Sequence, residues 1–382
     1  MRFAHLSDLH LGKTVNNYSM LEDQRDILQK VLGIIDQEQA DAVLIAGDVY
    51  DRPVPPLDAV NLLNDFLNAL AERGLEVFLI SGNHDSGDRL GFAADLLGRE
   101  RIHIAGVWKG QPECTVLHDA HGPAAVWSIP FIRPSSINRF IAEEKDRVGT
   151  YTEAMRHAVS SAGIDSSIRN VLIAHQFVTG ASLDPEGSEE FEIGGSDNID
   201  ASVFAPFDYT ALGHIHRPQD ISSPRIRYCG TPLKYSLGEI GQEKSVTIAE
   251  LNEKGDLQVR AVPLTPLRGM SELRGSFLEV NAPAHIAAQA GDYVRVVLTD
   301  EQDIPDAAAR LKVVYPYLMR LDYDNARTRN EQVLSVDAEA ASRHPLELFE
   351  EFYEKQNGQP MSGELKRLAA EEIGKVFAKE QI

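Results

Sequence analysis

Through the first half of the chain, short apolar runs that stop at small or polar residues alternate with stretches of helical periodicity. The runs "RFAHLS" (2–7), "AVLIAG" (42–47), "EVFLIS" (76–81) and "NVLIAH" (170–175) are too short for helices. Being apolar at nearly every position, they predict strands buried on both faces. Between them, residues 20–38 and 57–73 place apolar residues at helical spacing, with Leu57, Val60, Leu63, Leu67 and Leu70 as the stripe expected to face the core in the second. Strand and helix in alternation predict an α/β layered domain, whose functional groups gather where strands end and loops begin.

The pattern changes after residue 225. "IRYCG", "SVTIAEL" and "LQVRAVPL", separated by turn-forming stretches such as "NEKGD", predict antiparallel strands closing that domain. "PLTPLRGMSELRG" (263–275) reads as a linker. Beyond it, "VRVVLTD" (294–300), a helical "IPDAAARLKVV" (304–314) and "YLMRLDYDN" (317–325) predict a small α+β unit, and the polar residues 326–344 a flexible connection. Residues 345–379 offer two amphipathic helices joined by "NGQPM". Leu346, Leu348, Phe349 and Phe352 are more apolar surface than so short a segment buries alone, so a partner or the chain's own domain must cover them. The expected organisation has three parts, 1–265, 276–325 and 345–382.

Composition sets limits. With 382 residues, 43% hydrophobic and 25% charged, the chain fits a soluble globular protein of two domains and an appendage. It has no apolar run of membrane-spanning length and begins on the polar "MRFAHLSDLH", so the expectations are no membrane association, no signal segment and a cytoplasmic location. Cys114 and Cys229 are its only cysteines, too few for a disulfide framework, and are expected to be ordinary buried or half-buried thiols. A net charge of −21 argues against gripping nucleic acid by bulk electrostatics. Any such role needs a local basic patch, bound cations or a partner, and the abundant carboxylates suit hard divalent cations equally well.

The candidate chemistry lies at the strand ends. The first run leads into "SDLH" with Asp8 and His10, the second into "GDVYD" with Asp48 and Asp51, the third into "GNHD" with Asn83, His84 and Asp85, and the fourth into "AHQ" with His175. A further apolar run ends in "GHIH", where His214 and His216 would point the same way if the segment were extended. That pair alone fits a surface loop as well as a metal site, and each short motif alone is common. Together, in order and at strand ends, they predict oxygen and nitrogen donors collected on one edge of one sheet. Carboxylates, an amide oxygen and imidazoles without cysteine suit a pair of borderline cations such as Mn²⁺, with Mg²⁺ as the other option, rather than structural zinc. Gly47, Gly82 and Gly213 would let the backbone turn sharply beside a crowded site.

These five blocks resemble the signature blocks of the calcineurin-like metallophosphoesterases, over about residues 1–265. Within that family "SDLHLGK", "GDVYDRPVPP", "ISGNHDSGDRL", "AHQFVTGA", "YTALGHIHRPQ" and "RYCGTPLKYSLGE" are similar to the bacterial nuclease subunits that work with a coiled-coil ATPase. The resemblance implies a layered metallophosphoesterase β-sandwich flanked by helices, with a small α+β cap domain and a C-terminal helical tail. It implies two Mn²⁺ ions, one held by Asp8, His10, Asp48 and His216, the other by Asp48, Asn83, His175 and His214. His84 would be the catalytic histidine, and Asp51 and Asp85 would orient the ligands. Tyr50 and Gln176 depart from the usual pattern without touching a ligand.

The implied activity is exonuclease and endonuclease cleavage of DNA ends and hairpins, with ATP used by the partner. The cap would contact DNA, the tail would bind the ATPase, and helices 57–70 or 89–97 would pair two copies within a heterotetramer. Lys13, Arg52, Arg89, Arg133 and Arg139 flank the motif loops and could touch phosphates, although each reads as well as an ordinary solvated side chain. A stand-alone phosphodiesterase or phosphatase, and a non-catalytic scaffold for DNA ends, are the other readings.

Overall fold

The computed structural model describes residues 1–182, 198–302, 304–326, 328, 345–357, 360–363, 365–370 and 373. The chain divides into two compact units, Met1–Met270 and Ser271–Ile382. The first contains two six-stranded sheets. One runs in the order Leu257–Pro263, Ser245–Leu251, Arg2–Leu6, Ala42–Ala46, Glu76–Ile80, Ile102–Ala105. The other runs Gln219–Ile221, Ser223–Tyr228, Tyr209–Gly213, Arg169–His175, Gly122–Ser128, Glu113–Asp119.

The continuous apolar runs follow from this layering. Phe3, Leu44, Ala46, Phe78 and Ile80 of the first sheet share one core with Val126, Val171, Ile173 and Ala211 of the second. Alternate residues of the second sheet, Trp127, Leu172, Ala174 and Leu212, pack on its other face with Ile137, Met155, Ala158 and Val159. Both faces of these strands are therefore covered, and with exceptions such as His5 and Thr210 the polar residues stand toward the strand ends.

Three expectations change. The strand Ser223–Tyr228 does not join the closing hairpin; it pairs in parallel with Tyr209–Gly213 in the second sheet, while Ser245–Leu251 and Leu257–Pro263 pair with each other in the first. In the helix Leu57–Glu72 the buried stripe is Ala59, Leu62, Leu63, Phe66 and Leu70. Leu57 and Val60 are exposed, because Ala59 and Phe66 set the phase of the helix one residue away from the aliphatic series. Cys114 is exposed on the edge strand Glu113–Asp119, whereas Cys229 is buried.

Two buried polar groups brace the first unit. Arg169, 2% exposed, donates to Asp119 at 3.0 Å and to the carbonyls of Leu251 and Asn252 at 2.9 Å, linking the ends of both sheets. Asp119→Asn leaves that guanidinium without its counter-charge and is expected to cost about 2–4 kcal/mol, read as a lower urea midpoint at pH 7. Arg169 holds the Asp119 carboxyl well below the usual range. Its contribution is thus full above the unfolded value of about 4 and is lost progressively as pH falls from there through the much lower folded value, so the gap between the two proteins should narrow below pH 4 yet stay open at pH 3.

His5 lies in the core, with Nδ1 2.8 Å from the Tyr209 hydroxyl and Nε2 3.1 Å from the Leu212 carbonyl. The carbonyl can only accept, so Nε2–H donates to it and Nδ1 accepts from Tyr209. Burial, reinforced by Arg227, pushes His5 down to about 3. A neutral buried imidazole whose unfolded form titrates near 6.5 contributes stability above that pH and loses it as pH falls, at up to about 1.4 kcal/mol per unit. Between pH 6.5 and 4.5, urea unfolding of His5→Gln should show a shallower loss of stability than the wild type; equal slopes would contradict this.

The second unit is built on a three-stranded sheet in the order Met270–Gly275, Tyr293–Leu298, Leu318–Tyr323, with the helix Ala307–Val314. Leu273, Val294, Val296, Leu298, Leu311 and Tyr315 form its core. The stretch 263–275 is therefore not all linker, since Met270 and Leu273 are buried and pull its second half into a strand. The helix Pro345–Asn357 is present, with Phe349 and Phe352 exposed. Apart from residues 326 and 328, the predicted flexible stretch 326–344 lies outside the described residues, as does most of 371–382. No helix among the described residues is long and apolar enough to cross a membrane.

Candidate metal centre

The donors converge, but on two sheets rather than one. Asp8, Asp48 and Asn83 follow Arg2–Leu6, Ala42–Ala46 and Glu76–Ile80 of the first sheet, whereas His175 and His214 stand at the ends of Arg169–His175 and Tyr209–Gly213 of the second. All these strands run parallel within their sheets, so their carboxyl ends open on a common edge. The first two loops are zipped together: Asp8, His10 and Leu11 donate N–H to the carbonyls of Gly47, Asp48 and Val49 at 2.9–3.0 Å.

The backbone is held in an unusual conformation here. Asp8, His10, Asp48 and His214 have φ of 52°, 42°, 47° and 103°, a region costly for side-chain-bearing residues. His214 is therefore not in extended backbone, and its ring meets Asn83 whereas that of His216 meets His10. Of the three glycines, only Gly47 uses positive φ, at +86°. Gly82 and Gly213 serve instead for space, since a Cβ would come within 2.1 Å of Asp48 Oδ1 and 1.9 Å of the Ala46 carbonyl respectively.

Two groups of donors result. His10 Nε2 lies 3.2 Å from His216 Nε2, and Asp8, His10 and His216 form one set whose ligand atoms are all within 4.8 Å. Asp8, Asp48 and His175 form another, and Asn83 Oδ1 joins it at 3.0 Å from His175 Nε2 and 2.9 Å from His214 Nδ1. Asp48 stands between the sets, with Oδ2 3.3 Å from His175 Nε2 and 3.8 Å from His10 Nε2. Asp8, His10, Asp48, His175 and His216 are buried; Asn83, His84 and His214 are half-buried at the opening.

Around these donors lie the residues expected to orient them. Asp85 accepts backbone N–H bonds from Val49, Tyr50 and Gly82 at 2.9–3.0 Å, tying the second and third loops together. Asp51 pairs with Lys13 at 2.9 Å and lies 3.7 Å from His10 Nδ1. Lys13 is thus a buried partner of the site rather than a solvated contact for phosphate, while Arg52, Arg89, Arg133 and Arg139 are exposed. His84 donates its backbone N–H to Asp48 Oδ1 at 2.9 Å, and its Nδ1 lies 3.1 Å from the Asp51 carbonyl. Gln176 has its side-chain amide on the Ile132 carbonyl, and its atypical identity leaves the donors untouched.

The electrostatics fit a divalent cation. Burial pushes His10 far down and, with the charge of His175, His214 down to about 3, so both imidazoles are neutral donors. Burial would also lower His175, yet the Asp48 carboxylate raises it to about 9; burial raises Asp8, while His175 holds Asp48 low against its burial. The pocket draws positive charge to its centre. His10 Nε2 faces His216 Nε2 at 3.2 Å, and Asn83 Oδ1 faces two imidazole nitrogens, an arrangement that a cation relieves. His175 Nδ1–H donates to the Ala46 carbonyl at 2.8 Å, so the proton that Asp48 favours on Nε2 is the one a bound cation would displace. No sulfur takes part: the buried Cys229 thiol is directed to Ser7 Oγ at 3.0 Å.

Sequence reasoning missed the supports on the His216 side. Glu239 Oε1 lies 3.2 Å from His216 Nδ1, and Lys244 pairs with Glu239 at 2.6 Å. Gln24 donates to the Leu9 and His10 carbonyls at 3.3 and 2.7 Å, and Tyr235 donates to the Leu9 carbonyl at 2.5 Å. The block "RYCGTPLKYSLGE" contains Tyr235 and Glu239, but nothing in its spacing ties either to a histidine over 15 residues earlier.

The chain belongs to the calcineurin-like phosphoesterase family, which matches residues 1–218, more than half its length. Residues 266–357 match a second family, described as the type 5 capsule protein repressor C-terminal domain. Over 373 residues, 95% of each protein, the chain is 27% identical to the SbcD polypeptide of the SbcCD nuclease of Staphylococcus epidermidis. Among solved structures it is similar to a dimetal phosphatase from Danio rerio, at 14% identity and a TM-score of 0.41, over 70% of this chain and 98% of that one.

Proposed function

We propose that this protein is a metal-dependent DNA nuclease, cleaving phosphodiesters at double-strand ends and hairpins in DNA repair, recombination and replication-fork processing, with an SbcC-type ATPase as its partner in the cytoplasm. The observation that carries the reading is that the likeness to a nuclease polypeptide runs along 95% of both chains, through the second unit as well as the phosphoesterase unit. In this reading 1–265 is the nuclease domain, 276–325 the cap that contacts DNA, and 345–382 the helical segment that docks on the ATPase coiled coil. Two copies pair within a heterotetramer. The net charge of −21 then falls into place, because the partner supplies basic surface.

Asp8, His10, Asp48 and His216 would hold one Mn²⁺, and Asp48, Asn83, His175 and His214 the other. When bound, such a pair supplies Lewis acidity, activating water and neutralising charge that builds on the phosphorus oxygens. His84 sits at the opening with Nδ1–H donated to the Asp51 carbonyl. Its Nε2 is thereby left to protonate or stabilise the leaving oxygen. Asp51 and Asp85 keep the loops in place.

The test is cleavage of linear duplex and hairpin DNA with Mn²⁺, with Mg²⁺ and with EDTA, each with and without the ATPase partner. Mn²⁺-dependent cleavage that the ATPase enhances is expected. Activity confined to small phosphoesters would point to a stand-alone phosphodiesterase or phosphatase, and DNA binding without cleavage to a scaffold; either outcome overturns the proposal.

A further inference from the structure

We infer that Glu239 is a positioning residue that sets how tightly His216 holds its ion, an inference resting on the assignment of His216 as a ligand. Glu239 comes from a short turn, Leu237–Glu239, outside every loop that carries a donor, and is 1% exposed. Its Oε1 lies 3.2 Å from His216 Nδ1, so Nδ1–H is donated to a carboxylate and Nε2 is left as the donor atom facing His10 Nε2 at 3.2 Å. The backbone of His216 is gripped as well: its carbonyl accepts from Lys244 Nζ at 2.9 Å and from the Thr231 N–H at 3.1 Å.

The carboxylate itself is fully engaged. Lys244 pairs with Oε2 at 2.6 Å, Thr231 Oγ1 donates to Oε2 at 3.3 Å, and Ser236 Oγ donates to Oε1 at 3.2 Å. A buried Glu–Lys pair adds little net stability over apolar side chains of the same size, so stability alone is a weak account of it. Fixing an imidazole's orientation and tautomer through a carboxylate, and strengthening it as an electron donor, is what such a pair does beside a metal ligand. The contrast with His175 is informative. That ring is held by the neutral Ala46 carbonyl, so the two sides of the centre differ in donor strength.

The experiment is titration of the full-length, metal-stripped chain with Mn²⁺, followed by calorimetry and by electron paramagnetic resonance of the bound ion. Glu239→Gln is expected to weaken one of two Mn²⁺ sites about 10–100-fold and to leave the other as in the wild type. His216→Ala should lose that same site. Because Glu239→Gln leaves Lys244 buried beside a neutral amide, the double variant Glu239→Met/Lys244→Met provides a well-packed apolar replacement. It should unfold no earlier than the metal-free wild type and still show the weakened site. Wild-type affinities in either variant, or equal weakening of both sites, while His216→Ala loses one ion, would overturn the role of Glu239 alone. Two unaltered sites in His216→Ala would instead remove the ligand assignment and this inference with it.

Discussion

Asp48→Ala is expected to bind neither ion and to lose phosphodiester hydrolysis by at least about 10³-fold, more than about 4 kcal/mol of barrier. The expectation follows from position. Its Oδ2 lies 3.3 Å from His175 Nε2 and 3.8 Å from His10 Nε2, so one carboxylate serves both sets of donors, while Oδ1 accepts the backbone N–H of His84 at 2.9 Å. Under the proposed assignment truncation takes a ligand from each ion, and it removes the acceptor of the His84 N–H. Elemental analysis of the purified variant, with circular dichroism to establish folding, measures the effect; a folded variant with two equivalents of metal would contradict the bridge.

His84→Ala should behave in the opposite way toward metal. Its side chain is half-buried, contacts the Asp51 carbonyl and stacks edge-on against His10 with ring centroids 4.9 Å apart, but it is in neither donor set. Both ions should remain, while turnover falls by about 10²–10⁴-fold, the usual contribution of a positioned general acid. Loss of metal together with activity would make His84 a ligand instead, and unchanged turnover would remove it from the reaction. Comparison of the two variants thus separates holding the ions from transferring the proton.

Much of this centre is legible in the sequence because buried strands and their polar ends are written locally. An apolar run such as "AVLIA" followed by "GD" announces a strand and the group at its tip without knowledge of its neighbours. Which sheet a strand joins is not written in the same way: Ala42–Ala46 and Arg169–His175 both contain the run "VLIA", yet lie in different sheets. The phase of Leu57–Glu72 is ambiguous in sequence because Leu57 and Val60 match the aliphatic spacing, although Ala59 and Phe66 face inward. Glu239 leaves no local signal because its bond to His216 is a tertiary contact across 23 residues of chain, with no periodicity to mark it. The strand Met270–Gly275 is masked by the prolines and glycine just before it.

Because the ligand cage is shared between two sheets, its dimensions are governed by the apolar layer that separates them. Ala46 and Ala211, both wholly buried in that layer, act as spacers. Enlarging either would wedge the sheets apart and shift His175 and His214 relative to Asp8 and Asp48, altering the spacing of the two groups of candidate donors. The gauge of the candidate site is thus cut in hydrocarbon, and its fine adjustment belongs to residues with no chemistry of their own.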